Sequence, residues 1–335
     1  MGDYLKSQII TYLGNKRKLL NKIEEEIDNI LIELKKDGKK VIKMGDGFSG
    51  SGVVSRLLKL KCDKLYSNDL AGYSETLNKC YLGNPSVEDI KRIKKYIDKT
   101  NEKGEEYEKK NGGDNWIHGN WSPKNNEIKQ DDRVYYTYEN GLRIDGMRNY
   151  IEKIPKKYKS YVLGPLLVEC SIHNNTNGQF SAFYKNEEGK GAYGGKKEID
   201  LNRITSKISI PYPITNVNSC ETIISRKNTN DWVREIDEEL DIIYYDPPYN
   251  KHPYNIYYFL LDIINDWDKT KDIPNTTRGQ EKSWVASEYN SVKNAKKAIT
   301  DLLKNTNSKY IIMSYNNDGI VPIDDLDKIL KEIGE

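Results

Sequence analysis

Residues 41–52 read VIKMGDGFSGSG, and this stretch decides the fold. An apolar start that runs into closely spaced glycines predicts a short strand followed by a glycine-rich loop. The next residues, VVSRLLKLK, return to helical spacing, and KLYSNDL at 64–70 supplies a second strand. Strands that alternate with helices predict a parallel α/β sheet, whose ligands bind at the carboxyl ends of the strands.

The same alternation continues along the chain but is interrupted once. Residues 18–35 carry apolar positions at helical spacing and end in the turn-forming KKDGKK. Strand-like text returns as VNSCETIIS at 217–225, LDIIYYDPPYN at 240–250 and KYIIMSYNNDG at 309–319. Charged helical text, and then text rich in Gly, Asn, Trp and Tyr, fills the interruption. We therefore predict a domain built from residues 1–83 and 214–335, with a mainly helical insertion at 84–213.

Composition limits the classes of function. The chain has 335 residues, 36% of them hydrophobic, which supports an ordinary globular core. Its 53 basic and 51 acidic residues leave a net charge of +2, so any nucleic-acid surface must be a local patch. The cysteines lack C-x-x-C spacing and histidines are few, so we expect no metal site. With no apolar run of ~20 residues and no secretory signal, we expect no membrane association and a cytoplasmic protein.

The sharpest chemical signal is Asp246-Pro247-Pro248-Tyr249, directly after a strand-like run. The amino group of adenine is a poor nucleophile because its lone pair is delocalised into the ring, so a catalyst must hold it through hydrogen-bond acceptors. The Asp246 carboxylate and the Pro247 carbonyl suit that task, since the two prolines restrict the loop and donate nothing. Tyr249 offers a flat face to a base that is flipped out of the duplex. The alternative is a plain Asp-Pro turn at the end of a strand.

Acidic residues near the glycine-rich loop distinguish between nucleotide cofactors. Glycines let a ligand approach the backbone, but Asp46 stands where a pyrophosphate would be repelled. S-adenosylmethionine has no phosphate and carries an ammonium and a sulfonium, so Asp46 favours it. Asp69 follows about twenty residues later at the end of the next strand, which is the spacing of an acid that binds ribose hydroxyls. A solvated loop acid is the alternative for Asp69.

The order of the motifs is more specific than any one of them. YLGNK at 12–16 alone is weak, because a glycine and a lysine before a helix more often form a turn and a helix cap. In sequence, YLGNK, DGFSGSG, ND, a long insertion, DPPY and YIIMSYNNDG resemble the alpha-class N6-adenine DNA methyltransferases, the Dam-like and type II restriction-modification enzymes. The resemblance spans about 7–319 and includes CSIHNNTNGQFSAFYK in the insertion and NKHPYNIYYFLLDII after DPPY.

This resemblance implies a fold, a cofactor and a site. The fold is a Rossmann-like S-adenosylmethionine-dependent methyltransferase fold whose insertion is the target-recognition region. The implied partners are double-stranded DNA and a cognate restriction endonuclease that acts on the same site. The implied cofactor-binding residues are Tyr12, Asn15, Lys16, Asp46, Phe48, Gly50, Gly52 and Asp69. The implied catalytic loop consists of Asp246, Pro247, Pro248 and Tyr249. The family also uses an acid after the next strand to hold the cofactor adenine, and Glu221 is the candidate.

One departure concerns the carboxyl-terminal part of the sheet. The family usually ends in a strand hairpin that closes the sheet, whereas this sequence stops soon after a helix predicted from Ile323 to Ile333. A fragment, or one module of a longer protein, would explain the difference. We therefore expect a sheet without that hairpin.

The insertion supplies side chains that suit DNA. Asn and Gln fit base edges, and Lys and Arg fit phosphates, although for each residue taken alone an ordinary surface position is expected more often than a contact, so the sequence indicates the region and not the individual readers. The basic residues in question are Arg133, Arg143, Arg148, Lys156, Lys157, Lys159, Lys185, Lys190, Lys196, Lys197 and Arg203.

Other functions fit the sequence less well. RNA-adenine and protein-glutamine methyltransferases with a related loop generally resemble NPPY or NPPF, so Asp246 favours DNA adenine. A nucleotide-binding module without catalysis would not need Asp246. A nicotinamide-dependent dehydrogenase would need a loop that tolerates phosphate, which Asp46 disfavours. The expected chemistry is direct in-line transfer to N6 without a metal or a covalent enzyme intermediate, since no cysteine accompanies the catalytic loop.

Overall fold

A computed structural model describes residues 2–7, 9–11, 14–125, 127–251, 253–280 and 287–334. Its centre is a sheet of five parallel strands in the order β3-β2-β1-β4-β5. The strands are β1 (Lys43–Asp46), β2 (Lys64–Asp69), β3 (Glu221–Arg226), β4 (Leu240–Tyr245) and β5 (Ser308–Met313). The parallel α/β sheet expected from the sequence is confirmed.

Helices connect the strands and form the insertion. Those of the strand-bearing part are α1 (Gly2–Lys6), α2 (Leu20–Lys36), α3 (Val53–Lys59), α4 (Gly72–Tyr81), α10 (Thr229–Arg234), α11 (Asn255–Asp266), α12 (Ala295–Lys304) and α13 (Ile323–Ile333). Those of the insertion are α5 (Val87–Lys109), α6 (Ile117–Trp121), α7 (Tyr138–Ile151), α8 (Lys156–Ile172) and α9 (Leu201–Thr205). Within the described ranges, no helix is long and apolar enough to cross a bilayer.

The sheet is covered on both faces, which is why its strands are apolar. All six residues of β4 are buried, as the continuous run LDIIYY predicts for a central parallel strand. One face, with Met44 and Ile242, packs against α2 and α3. The opposite face, with Ile243 and Tyr245, packs against α10, α12 and α13. With both faces covered, a ligand of the sheet is expected at its carboxyl edge.

The helices of the insertion share a core with the sheet domain. Trp121, Tyr135 and Leu166 from the insertion are buried in one cluster with Leu77 of α4 and Phe259 of α11. Because α11 begins shortly after the DPPY loop, this packing fixes the insertion next to that loop. The insertion is mainly helical, as expected.

The last described elements follow the sequence pattern. Helix α13 has the bounds predicted for it, and its apolar residues Leu326 and Ile329 are buried against the sheet domain. Strand β5 pairs with β4 and forms one edge of the described sheet. A second edge is formed by β3, which pairs with β2.

Candidate active site

Three carboxylates gather at the carboxyl edge of the sheet. Asp46 ends β1, Asp69 ends β2 and Asp246 directly follows β4, and β1 lies between the other two strands. The carboxyl ends of parallel strands share one edge, so these residues meet although they are distant in sequence. The negative charges of Asp246 and Asp69 both raise the pKa of Asp46, as expected for neighbouring carboxylates.

The two oxygens of Asp46 have different environments. Oδ2 accepts a hydrogen bond of 2.6 Å from the Ser55 hydroxyl, whereas Oδ1 is buried without a well-formed hydrogen bond among the described residues. The backbone N–H of Phe48 lies close enough to lower the pKa of the carboxyl. Burial raises the pKa of Asp46 to about 7. A buried acceptor without a donor is unfavourable, so a ligand that brings an N–H group or a positive charge to Oδ1 would be stabilised.

Asp69 connects the end of β2 to the glycine-rich loop. Its Oδ2 accepts a hydrogen bond of 2.8 Å from the Gly50 N–H, and its Oδ1 accepts one of 2.9 Å from the Ala71 N–H. Burial raises the pKa of Asp69 in spite of these bonds. Carboxylate oxygens accept more than one hydrogen bond, and Asp69 lines the main cavity of the site. It can therefore also accept hydrogen bonds from the hydroxyl groups of a ligand.

Two positions of the loop favour glycine. Gly50 and Gly52 have φ angles of +50° and +78°. A Cβ atom on Gly52 would lie 2.4 Å from Oδ1 of Asn78. Asn78, on α4, also donates a hydrogen bond of 2.9 Å to the Ser49 hydroxyl. The loop is therefore packed tightly against α4, which keeps its backbone in a fixed position beside the cavity.

Asp246 is paired with a lysine from the amino-terminal segment. Lys16 Nζ lies 2.7 Å from Asp246 Oδ2, and the two side chains are only 10% and 18% exposed. Burial raises the pKa of Asp246 to about 6, while the charge of Lys16 acts in the opposite direction. Oδ1 of Asp246 is buried and has no hydrogen-bond partner in the described part of the chain. The ionised carboxylate thus has one acceptor atom left for an N–H group.

The amino-terminal segment contributes two side chains with different tasks. The Asn15 side chain accepts a hydrogen bond of 2.8 Å from the Arg17 N–H and caps a short helical turn. Asn15 and Lys16 line a small cleft of about 30 Å³ together with Asp46 and Asp246. The helix cap that the sequence suggested for this segment is therefore present, and the lysine reaches the catalytic loop as well.

The remainder of the catalytic loop is held by the segment that follows β5. The Ile320 N–H donates a hydrogen bond of 2.9 Å to the Tyr249 carbonyl. The Tyr249 ring packs edge-on against Tyr315, with 6.1 Å between ring centroids. Pro247 is buried and Pro248 lines the main cavity. The text YIIMSYNNDG, quoted above for its resemblance, therefore supports the DPPY loop directly.

One cavity of about 290 Å³ runs from the glycine-rich loop to the catalytic loop. Asp69 and Asp246 both line it, and Phe48 forms part of its wall. The Phe48 ring lies edge-on to Tyr289, with 5.2 Å between centroids. Leu70 also lines the cavity and is 60% exposed, so it offers an apolar surface beside the carboxylate of Asp69. The cavity has the mixed apolar and acidic character that suits a nucleoside ligand.

Glu221 does not join the other predicted residues. It is the first residue of β3, is exposed, and pairs in register with Lys64 at the amino end of β2, so it lies at the opposite edge of the sheet. The residues that line the cavity beyond the carboxyl end of β3 are Asn228 and Thr229. The sequence predicted an acid after the next strand, but β3 begins only at Glu221, so the residues that follow the strand are different ones. Tyr12, also predicted, lies outside the described residues.

Several basic residues of the insertion have structural partners. Arg148 is 1% exposed and donates a hydrogen bond of 2.6 Å to the Ile264 carbonyl of α11. Arg143 is buried and pairs with Glu108 at 2.5 Å. Neither guanidinium is on the surface, so these two residues have structural partners inside the protein instead of an ordinary surface position or a phosphate contact. Exposed basic residues of the set include Lys185, Lys196 and Lys197, which lie close together in sequence.

Comparison with protein families gives a match over most of the chain. A model of the family described as D12 class N6 adenine-specific DNA methyltransferase matches residues 12–317. This span includes the amino-terminal segment, the glycine-rich loop, the insertion and the catalytic loop. It therefore covers all three elements that meet at the site.

Individual relatives are also named as methylases or methyltransferases. The chain is 32% identical over 326 residues to Modification methylase LlaI of Lactococcus lactis subsp. lactis, covering 94% of this chain and 47% of that protein. It is 27% identical over 335 residues to Type II methyltransferase M.NlaIII of Neisseria lactamica, covering 97% of this chain and 89% of that protein. It is 25% identical over 337 residues to Type II methyltransferase M.CviAII of Paramecium bursaria Chlorella virus 1, with the same coverage of 97% and 89%. The chain thus spans about half the length of the first of these relatives and most of the other two.

Proposed function

The chain belongs to the D12 class of N6 adenine-specific DNA methyltransferases, and from this premise we propose that it transfers the methyl group of S-adenosylmethionine to N6 of an adenine flipped out of double-stranded DNA. The observation that carries the proposal is a pair of buried carboxylates at one cleft. Asp46 and Asp246 each keep one buried oxygen without a hydrogen-bond donor among the described residues. One free acceptor suits the cofactor and the other suits the amino group of the substrate.

The residues around Asp46 fit S-adenosylmethionine. Oδ1 of Asp46 would accept from the cofactor ammonium, and the glycine-rich loop beside it admits close contact with the backbone. Asp69 would bind the ribose hydroxyls, while Phe48 and Leu70 would contact the adenine ring. Asn228 takes the place that we first assigned to Glu221, since it lines the cavity. Asn15, Lys16, Gly50 and Gly52 complete the proposed cofactor site, with Tyr12 as a further candidate from the sequence.

The catalytic loop would prepare the amino group of adenine for attack. Bound S-adenosylmethionine supplies an electrophilic methyl group. Asp246 Oδ1 and the Pro247 carbonyl would accept the two N–H groups of N6, which directs the nitrogen lone pair out of the ring plane. Pro248 restricts the loop and Tyr249 would stack on the base. Flipping a base costs a few kcal/mol, which this stacking and hydrogen bonding would offset.

Lys16 would keep Asp246 ionised. A carboxylate as buried as Asp246 favours its neutral form, and the ammonium at 2.7 Å opposes that tendency. A protonated Asp246 would lose part of its capacity to accept from N6. Lys16, from the amino-terminal segment, would therefore support the catalytic carboxylate as well as lie beside the cofactor.

The insertion at 84–213 would read the DNA around the target adenine. Its core is shared with α11, which starts next to the catalytic loop, so it lies where flanking bases would be. Lys185, Lys196 and Lys197 would contact phosphates, because they are exposed and lie in a glycine-rich stretch that can approach the DNA backbone. Their local charge is relevant because the chain as a whole is nearly neutral.

The biological setting follows from the relatives. LlaI, M.NlaIII and M.CviAII carry the names of modification methylases or type II methyltransferases. We therefore infer a site-specific adenine DNA methyltransferase of a restriction-modification system, acting in the cytoplasm beside an endonuclease for the same sequence. The alternatives, which are RNA adenine, protein glutamine or no catalysis, are less well supported, because the aspartate of DPPY is intact and paired.

Methyl transfer to DNA tests the proposal directly. Labelled S-adenosylmethionine and unmethylated genomic DNA are incubated with the chain, and the digested nucleosides are separated. We expect label in N6-methyladenine, and sequencing of the modified positions then identifies the target. Parallel incubations offer RNA and protein in place of DNA, and label in either of them but not in DNA would refute the proposed substrate. Cofactor binding without any transfer would favour a non-catalytic module.

A further inference from the structure

A short segment before α12 connects the two loops of the site. Residues 287–290 form a helical turn in which the Ser287 side chain accepts a hydrogen bond from the Tyr289 N–H. The Tyr289 hydroxyl donates a hydrogen bond of 2.5 Å to Asn230 Oδ1 on α10. The Tyr289 ring also packs on Phe48 of the glycine-rich loop. The segment is thus fixed against the sheet domain on the cofactor side of the cavity.

The next residue of this segment reaches the catalytic loop. Asn290 is 6% exposed, and its Nδ2 donates a hydrogen bond of 2.7 Å to the main-chain carbonyl of Asn250. Asn250 directly follows the DPPY sequence. Asn290 therefore connects a segment anchored beside Phe48 with the end of the loop that carries Asp246.

The two prolines of the loop limit the ways in which its backbone can be held. Pro247 and Pro248 have no N–H group, so this part of the loop has few donors with which to fix itself. Its carbonyl groups are the available attachment points. The Tyr249 carbonyl accepts from the main chain of Ile320, and the Asn250 carbonyl accepts from the side chain of Asn290. Of these two donors, the side chain of Asn290 can be removed by a substitution that leaves the backbone unchanged.

We propose that Asn290 is a positioning residue for methyl transfer, which holds the catalytic loop at the distance from the glycine-rich loop that the reaction requires. Asn290 also lines the cavity, but its Nδ2 already donates to the Asn250 carbonyl, and it is through this bond that it would act. Attack on a methyl group needs the reacting atoms aligned at near contact distance, and a displacement of about 1 Å can cost on the order of a hundredfold in rate. The proposal deepens the function proposed above and rests on it.

Two substitutions separate positioning from folding and cofactor binding. Asn290→Ala removes the donor, and Asn290→Asp keeps the size of the side chain but places an acceptor against the Asn250 carbonyl. We expect single-turnover methyl transfer at saturating cofactor and genomic DNA to fall about tenfold or more in Asn290→Ala and further in Asn290→Asp. The dissociation constant for S-adenosylmethionine should stay within about twofold of native, since the contact is made to the catalytic loop.

A matched control lies just before β3, away from the catalytic loop. Asn218 donates a hydrogen bond of 3.0 Å to the Lys59 carbonyl, so Asn218→Ala removes a bond of the same kind away from the loop. It should change the single-turnover rate less than about twofold. Native-like rates in both Asn290 variants, or a loss of cofactor affinity as large as the loss of rate, would overturn the inference. A native chain without any methyl transfer would overturn the proposed function and this inference with it, whereas an active native chain with unaffected Asn290 variants would overturn the inference alone.

Discussion

Replacing Lys16 should move the pH dependence of methyl transfer. The pair joins Nζ and Asp246 Oδ2 at 2.7 Å, and both side chains are largely buried. At an effective dielectric constant of about 20, the attraction between the two charges is roughly 6 kcal/mol. Water that enters the space left by the Lys16 side chain would solvate Asp246 and offset part of that loss. Loss of an adjacent cation commonly raises a carboxyl pKa by about 1–3 units, equivalent to about 1.4–4 kcal/mol.

The direction of the pH dependence follows from the protonation state of Asp246 that the reaction needs. Asp246 accepts from N6 when ionised, so activity rises with pH through its pKa, which is about 6 in the native chain. In Lys16→Ala the same rise should occur between about pH 7 and 9. If the pKa becomes about 8, the ionised fraction at pH 7.5 falls about fourfold, and the rate should recover by about pH 9.5. The assay is the single-turnover rate of N6-methyladenine formation against pH at saturating cofactor.

A second ion pair on the same strand provides the control. Lys39 Nζ lies 2.7 Å from Oδ1 of the fully buried Asp241, which is near the amino end of β4. Lys39→Ala should reduce stability and leave the pH profile of methyl transfer in place. Lys16→Arg should keep the native profile, because it retains the positive charge. If the acidic limb of Lys16→Ala coincides with that of the native chain, the reasoning on Asp246 is wrong.

Three further predictions follow from the site and the insertion. Asp246→Ala should abolish formation of N6-methyladenine and largely spare S-adenosylmethionine binding measured by calorimetry; near-native turnover would remove Asp246 from the mechanism. Cofactor binding at pH 6.5 should release protons, because a cation beside Asp46 lowers a pKa of about 7. The binding enthalpy should therefore depend more strongly on the buffer in the native chain than in Asp46→Asn, where only Asp246 remains to release protons, and equal buffer dependence in both would exclude this role. The double variant Lys196→Ala with Lys197→Ala should bind DNA more weakly, and the slope of log K against log salt should fall by about 1.8. The control double variant Lys304→Ala with Lys331→Ala, on α12 and α13, should leave that slope unchanged. Identical slopes in the two double variants would remove the insertion lysines from the phosphate contacts.

Much of the sheet domain was predictable because its signals are local. The continuous apolar run of β4 indicates a strand buried on both faces, and the polar residues that end β1, β2 and β4 then have to lie at one edge. That argument alone brings together Asp46, Asp69 and Asp246. It failed at β3, because the text around Cys220 does not show where the strand begins, and a shift of a few residues moves an acid from one edge of the sheet to the other. Glu221 therefore lies at the amino edge of the sheet, away from the other predicted residues.

The insertion and the supporting contacts were not predictable in the same way. Tyr135 and Tyr136 are fully buried, and their hydroxyls donate to the carbonyls of Phe180 and Cys170, which no periodic pattern indicates. Arg148 is buried against α11, where its charge is balanced by Glu152 and by main-chain carbonyls. Such polar side chains are of types usually found at the surface, yet they are buried in the core. Their partners are distant in sequence, so only the folded chain identifies them.

The charges at the site suggest why one cleft can serve both cofactor and substrate. Asp46 and Asp246 with Lys16 have one net negative charge when both acids are ionised, and burial makes that state unfavourable in the free chain, as the raised pKa values of the two acids indicate. S-adenosylmethionine has one net positive charge, from its ammonium, sulfonium and carboxylate. Its binding would therefore favour the ionised form of both acids at once. Ionised Asp246 is the form that accepts from N6, so binding of the cofactor would prepare the catalytic loop for adenine before the base arrives.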